Sequence, residues 1–302
     1  MVNRQDIKKL KGIFTFTITP FKHTNIMELN EDGLRENVRY LKNHDINVIV
    51  PCGQTGELFS LTTNEIKRVI EIVAEEKGDF LLIPGIPPGI KIAIELVKYA
   101  EDVGSDAVLL LAPNTATSEE GLYSYYKELA RSINIGMMLF IQGNLESILK
   151  RNNSFIIDLI EIENVIAFKY ENEDFWTLGK LMNLTQNKVA WICGPNFSAR
   201  VTECYFRLCC KGLTDGISNF APQLPITLFN SAMNQDWKEF KKIEEKLAQI
   251  SELRSKAGST AFIKAALDIM GLSGGPMRPP LLPLNEKYKK NVEELLKRLK
   301  IT

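Results

Sequence analysis

The sequence predicts an α/β protein, a (β/α)8 TIM barrel with a helical C-terminal extension. Three observations carry that expectation: eight short apolar runs, helix-period segments between them, and no strand-like run after residue 218. The runs occupy 12–19, 46–50, 80–84, 107–111, 136–141, 165–169, 189–193 and 213–218. They are near-continuously apolar rather than alternating, as strands buried on both faces of a parallel sheet are. Between them apolar residues return at helical spacing. Ile66, Val69, Ile70 and Val73 form one stripe; Ala93, Leu96, Val97 and Ala100 form the next; Leu122, Tyr125, Tyr126 and Leu129 form a third. Thr62 and Glu65 have capping-box spacing, so each side chain can satisfy the other residue's free backbone amide at a helix start. Eight such units fit a closed barrel better than a doubly wound open sheet.

After residue 218, Phe240, Ile243, Leu247 and Ile250 mark a helix, and 262–270 and 292–299 mark two more, with a turn-rich segment at 274–283. The expected organisation is a barrel over 1–222 and a helical extension over 223–302 packed on it. The chain has 302 residues. That is twice the usual ~150 for one domain, but single barrels routinely pass ~250.

Hydrophobic residues at 45% and charged residues at 25% are the balance of an ordinary globule. Lys plus Arg equals Asp plus Glu at 37 each, so the basic footprint of a nucleic-acid binder is missing and no such partner is expected. No run approaches the ~18 apolar residues of a membrane span, and residues 1–11 lack the apolar stretch of a secretory signal. His23 and His44 are the only histidines and neither sits near another ligand, so neither metal nor cofactor is expected. Cys52, Cys193, Cys204, Cys209 and Cys210 contain no CxxC pair. An odd, scattered set predicts free thiols in a reducing, cytoplasmic compartment, with Cys52 and Cys193 as small core residues.

Barrel active sites lie at the carboxyl ends of the strands, and two ends here carry unusual chemistry. Gly53-Gln54-Thr55-Gly56-Glu57 follows the second run. Two glycines flanking Gln54 and Thr55 let backbone amides converge on one point, a nest for a carboxylate or phosphate to which the Thr55 hydroxyl adds a donor. A plain βα turn using glycine has the same pattern. Lys169 ends the sixth run. Alternation puts Val165, Ala167 and Lys169 on one face, and the small Ala167 suggests that this face is the barrel interior. A buried ammonium must be paired or lose its proton, and a desolvated amine is what Schiff-base formation with a ketone needs. A lysine that clears the rim or pairs with Glu171, Glu173 or Asp174 is the alternative. Taken together, a carboxylate nest and an inward lysine describe a site for a small-molecule 2-oxo acid.

These residues resemble the dihydrodipicolinate synthase/N-acetylneuraminate lyase family of Schiff-base aldolase barrels. The resemblance runs from Thr19-Pro20-Phe21 to Gly275-Pro276-Met277-Arg278-Pro279-Pro280-Leu281 and includes Ser118-Glu119-Glu120-Gly121-Leu122-Tyr123. It implies that Lys169, in Asn164-Val165-Ile166-Ala167-Phe168-Lys169, is the imine-forming lysine. It implies a pyruvate-carboxylate loop at Gly53, Gln54, Thr55 and Gly56, with Gln54 where Thr or Ser is usual. It implies that the backbone carbonyl of Ile217, in Gly216-Ile217-Ser218, faces the keto acid. Phe140 stands where the family carries a proton-relaying tyrosine, Leu145 where the synthases place an arginine, and Ala112-Pro113-Asn114-Thr115 where they carry paired tyrosines. The implied function is a Schiff-base lyase or synthase acting on pyruvate or a related 2-oxo acid, in a homo-oligomer, dimer or tetramer. Gly56–Thr62, 218–222 and 275–281 are also similar to 5-dehydro-4-deoxyglucarate dehydratases, a second expectation. A keto-acid-binding protein with little turnover is the third, because a phenyl ring relays no proton.

Overall fold

The structure is a computed structural model and describes residues 3–115, 118–194 and 196–301. In chain order the elements are β1 (Gly12–Phe16), α1 (Glu31–Lys42), β2 (Val48–Val50), α2 (Thr63–Glu75), β3 (Leu81–Leu82), β4 (Gly85–Ile86), α3 (Ile90–Asp102), β5 (Ala107–Leu110), α4 (Glu119–Ala130) and β6 (Gly136–Ile141). They continue with α5 (Gly143–Arg151), α6 (Phe155–Glu161), β7 (Val165–Tyr170), α7 (Phe175–Thr185), β8 (Ala190–Cys193), α8 (Thr202–Arg207), β9 (Gly212–Asp215), α9 (Gln223–Met233), α10 (Trp237–Ala257), α11 (Ser259–Ile269) and α12 (Glu286–Leu299). Helices follow strands as the periodicity predicts, and Thr62 and Glu65 do cap α2 reciprocally.

All pairings between named strands are parallel, in the order β3-β2-β1-β9-β8-β7-β6-β5-β4, and the sheet is curled. There are nine strands where eight runs are expected, because the third run is split. Its first half, β3, pairs with β2, and β4, which starts one residue past that run, pairs with β5. Proline at 84 cannot donate to a ladder, and a Cβ on Gly85 would collide with the Cys52 carbonyl. The segment nonetheless bonds on both sides: Ile83 N donates to Ile49 O at 3.0 Å and Leu109 N to Pro84 O at 2.9 Å. The eighth run ends early, at Asp215, and Ile217–Asn219 forms a 3-10 turn.

Inside the curl, Phe14, Phe16, Val48, Val50, Ile83, Leu109, Met138, Phe140, Ala167 and Ile192 pack together, with Ile7 and Leu10 of the N-terminal segment against them. Outside it, Val165, Phe168, Met137 and Leu139 join the larger core between sheet and helices. This corrects the expected face of β7. Met137 pairs with Val165 but Met138 pairs with Ala167, so Ile166 is an extra residue. Such a bulge resets the alternation. Val165 therefore faces out and Ile166 in, while Ala167 keeps its inward place. The expectation of five free thiols is also corrected: Cys193 is joined to Cys210. Ladder pairing of Cys193 with Leu213 brings the segment before β9 alongside, with the two Cα atoms 6.5 Å apart. Cys52 is buried in the core as expected, while Cys204 and Cys209 are exposed.

Two buried cations lock the C-terminal segment to the loop after β2. Lys264 Nζ lies 2.5 Å from Glu57 Oε1 and donates to Pro276 O at 2.7 Å. Arg278 donates its backbone N–H to Glu57 Oε2 at 3.1 Å and its guanidinium to Glu65, Ser60 O and Ile26 O. Both cations sit over the Phe21 ring, at 4.4 and 4.1 Å. α9 packs on β1 and β9, and α10 runs back along α9 to the turn at Phe197–Ala199, which carries the extension across the strand ends. Among the described residues no helix is long and apolar enough to cross a membrane. Lys264→Met leaves the Glu57 carboxylate buried without its cation, and breaking such a pair costs about 3–5 kcal/mol. Urea unfolding of that variant should show the loss, and adding Glu57→Gln should return much of it.

Candidate active site

The strand ends and the extension enclose a cavity of about 340 Å3. Each wall comes from a nameable element. β1 gives Phe16, the loop after β2 gives Gly53, Gln54 and Thr55, and β6 gives Phe140. β7 and the residue beyond it give Lys169 and Glu171; the end of β8 is followed by Gly194; β9 gives Thr214 and Asp215, followed by Gly216. α10 contributes Ser251, Arg254 and Ser255, and α11 contributes Ser259.

Lys169 does point inward, and only 3% of the residue is exposed. Its Nζ is 3.4 Å from the Phe140 ring centroid and 4.7 Å from that of Phe16. Glu171 Oε1 lies 2.6 Å away. Both earlier readings of this lysine thus hold at once: it is buried at the mouth, and it is paired with Glu171. Burial pulls the Lys169 pKa below the ordinary lysine value, and the Glu171 carboxylate opposes only part of that pull.

The Thr214 hydroxyl donates at 3.1 Å to the same Glu171 Oε1 that meets Lys169. Gly194 leaves room for it, since a Cβ there would fall within the Glu171 side chain. The loop after β2 is shaped the same way, because a Cβ on Gly53 would come within 2.5 Å of the Phe16 ring. Gly56 N donates to Gly53 O and Glu57 N to Gln54 O, closing a tight turn. The backbone N–H groups of Gln54 and Thr55 have no acceptor among the described residues. Both residues line the cavity.

Five residues expected at the site come together: Lys169, Gly53, Gln54, Thr55 and Phe140. Two do not line the cavity. The Gly56 amide is spent on its turn, and its carbonyl accepts from Thr19 Oγ1 at 2.7 Å. Ile217 is fully buried and its carbonyl accepts from Phe220 and Ala221, so Gly216 forms that wall instead. Glu171 was foreseen only as an ion-pair partner. Its signal was present: 167, 169 and 171 share one parity. Arg254 was missed, although Ser251, Arg254 and Ser255 recur at helical spacing. The Arg254 guanidinium makes no hydrogen bond or ion pair with a described residue, yet its charge partly offsets the upward pull of burial on the Asp215 carboxyl. No group of three or more potential metal ligands occurs among the described residues.

Comparison with known proteins supplies the family. Residues 9–299 match the Dihydrodipicolinate synthetase family, and the chain belongs to it. It is 30% identical to a 4-hydroxy-tetrahydrodipicolinate synthase of Methanocaldococcus jannaschii, over 96% of this chain and 98% of that one. It is 27% identical to a probable 5-dehydro-4-deoxyglucarate dehydratase of Bacillus licheniformis, over 96% and 94%. Among solved structures, dihydrodipicolinate synthase from Oceanobacillus iheyensis matches with a TM-score of 0.89 and 27% identity, covering 99% of each chain. In a crystal structure of Gly194→Ala, the Glu171 carboxylate should have left Lys169; a retained 2.6 Å contact would mean that Gly194 does not set its place.

Proposed function

We propose that the protein is a lyase or synthase that forms a Schiff base between Lys169 and a 2-oxo acid, pyruvate or a relative of it. The observation that carries this reading is a desolvated amine and two unpartnered backbone amides in one cavity of about 340 Å3. The Gln54 and Thr55 amides hold the substrate carboxylate, and Gly53 and Gly56 shape the turn that frees them. Lys169 attacks the adjacent carbonyl carbon, and the resulting iminium draws electrons from C3. The C3 carbanion then adds to an aldehyde, is released by aldol cleavage, or expels a β-hydroxyl. Phe140 stands in the place of the family tyrosine and leaves proton transfer to another group. Ile217 acts by setting Gly216 on the cavity wall. The same reading makes the chain an eight-unit (β/α)8 barrel over 1–222, with 81–86 counted as one strand and 223–302 as the extension. It also makes it a cytoplasmic homo-oligomer that needs no divalent metal, cofactor or nucleic acid.

Arg254 favours a second reading. An unpaired guanidinium across the cavity suits a substrate with a second carboxylate, as in 5-dehydro-4-deoxyglucarate, the sugar diacid named for dehydratase relatives. In that case the reaction is dehydration rather than condensation.

Borohydride with pyruvate should fix one pyruvyl unit on Lys169, read by peptide mass mapping, and Lys169→Ala should fix none. An adduct on another lysine removes this assignment. Since Lys169 loses its proton more readily than an ordinary lysine, trapping should rise with pH and level off below the usual lysine pKa. For the second reading, Arg254→Ala should raise KM for 5-dehydro-4-deoxyglucarate about 10–100-fold, as losing a hydrogen bond to a charged group does, and leave pyruvate trapping unchanged. No turnover of that diacid by the unaltered protein would end the dehydratase reading.

A further inference from the structure

The Schiff-base reading leaves one requirement unfilled. Imine formation needs a group that takes a proton from the ammonium before attack and gives one to the departing hydroxyl. The cavity restricts the choice. The aromatic neighbours of Lys169 Nζ are Phe16 and Phe140, and neither ring carries a transferable proton. Among the described residues no tyrosine lines the cavity. Asp215 does, but its carboxylate is buried and accepts the Ser218 backbone N–H at 2.6 Å.

We infer that Glu171 is the acid–base catalyst of the Lys169 centre, an inference that rests on the Schiff-base reading above. Its Oε1 is 2.6 Å from Nζ, an ion-pair contact within the reach that a general base needs. The Glu171 side chain is 39% exposed while that of Lys169 is 4% exposed, so the carboxylate reaches from the amine into the open cavity. Thr214 steadies it and Gly194 leaves its space, so it is held in place rather than swinging free.

The steps balance. Glu171 takes one proton from the Lys169 ammonium. The amine lone pair forms the N–C bond at the 2-oxo carbon, and the carbonyl π pair moves to oxygen. Transfer of a second nitrogen proton to that oxygen gives the neutral carbinolamine. Protonated Glu171 then donates to the hydroxyl, the C–O bond breaks, water leaves, and the nitrogen lone pair closes the iminium. The three ammonium protons end as two on water and one on the iminium. Glu171, again a carboxylate, is then free to accept the C3 proton as the enamine forms.

A simple counter-ion and an acid–base catalyst predict opposite signs. The Glu171 charge holds the Lys169 pKa up, so a counter-ion's removal frees more amine and speeds attack. A catalyst's removal slows it. The experiment follows the rate of borohydride trapping with pyruvate, and deuterium uptake at the pyruvate methyl by NMR, in the unaltered protein, Glu171→Gln and Glu171→Ala. Glu171→Gln keeps the shape and the Thr214 contact, and both rates should fall about 10²–10⁴-fold, the usual worth of a placed acid–base group. Added formate should restore part of the rate in Glu171→Ala, where it has room, and none in Glu171→Gln. A Glu171→Gln rate equal to or above that of the unaltered protein overturns the inference and leaves the Schiff-base reading standing. No adduct in the unaltered protein overturns that reading, and the inference with it.

Discussion

The buried pair between Glu57 and Lys264 is the constraint on which the rest of the molecule depends. Two opposite charges in an apolar core are tolerated only when each is fully partnered. That condition dictates the surroundings. Glu57 must take a left-handed backbone turn, with φ at 56°. Its second oxygen must meet the Arg278 amide, and Lys264 must reach the Pro276 carbonyl. A Cβ on Gly274 would strike the Lys264 backbone carbonyl, so glycine precedes the Gly275-Pro276 turn. The loop that presents the Gln54 and Thr55 amides is therefore fixed by α11 and the C-terminal segment, far away in sequence. A short, glycine-flanked turn on its own would not hold Gln54 and Thr55 in one place on the cavity wall.

Charge inside the curl is handled differently. Glu57 and Lys264 are both sealed, so neither exchanges with a ligand. Lys169 is sealed, but its partner Glu171 is not. An ion pair with one member exposed is open to the cavity on one side. The cost of desolvating the amine falls on the folded protein and holds its pKa below the ordinary lysine value.

Much of this was legible in the sequence. Apolar runs and helical stripes located the strands and helices, because burial of a parallel sheet on both faces leaves a pattern in composition. Lys169 was legible from parity, and the Gly53–Thr55 loop from its glycines. The bulge at Ile166 was not, because it depends on register against β6 rather than on β7 itself. The division of Cys193 and Cys210 from the free thiols was hidden for the same reason, being set by strand pairing. The reach of Arg254 over the mouth depends on where α10 lies, and no local pattern encodes the docking of a helix on a distant strand end. That Gly56 and Ile217 fall outside the cavity is likewise a matter of which backbone groups the turns consume.

The bulge in β7 has a consequence for how this chain tolerates length changes. Ile166 is an extra residue ahead of Lys169, and the side chains after it take their facing from their place along β6. The address of the amine inside the curl is thus written as a count rather than as a contact. Removing Ile166 would leave Ala167 opposite Met138 and Lys169 still facing in, in plain alternation, whereas removing Phe168 would set Lys169 opposite Leu139 and turn it out of the cavity. A length change is therefore absorbed at the bulge and not beyond it, so the facing of Lys169 is insured against a lost residue at 166 and exposed to one at 168.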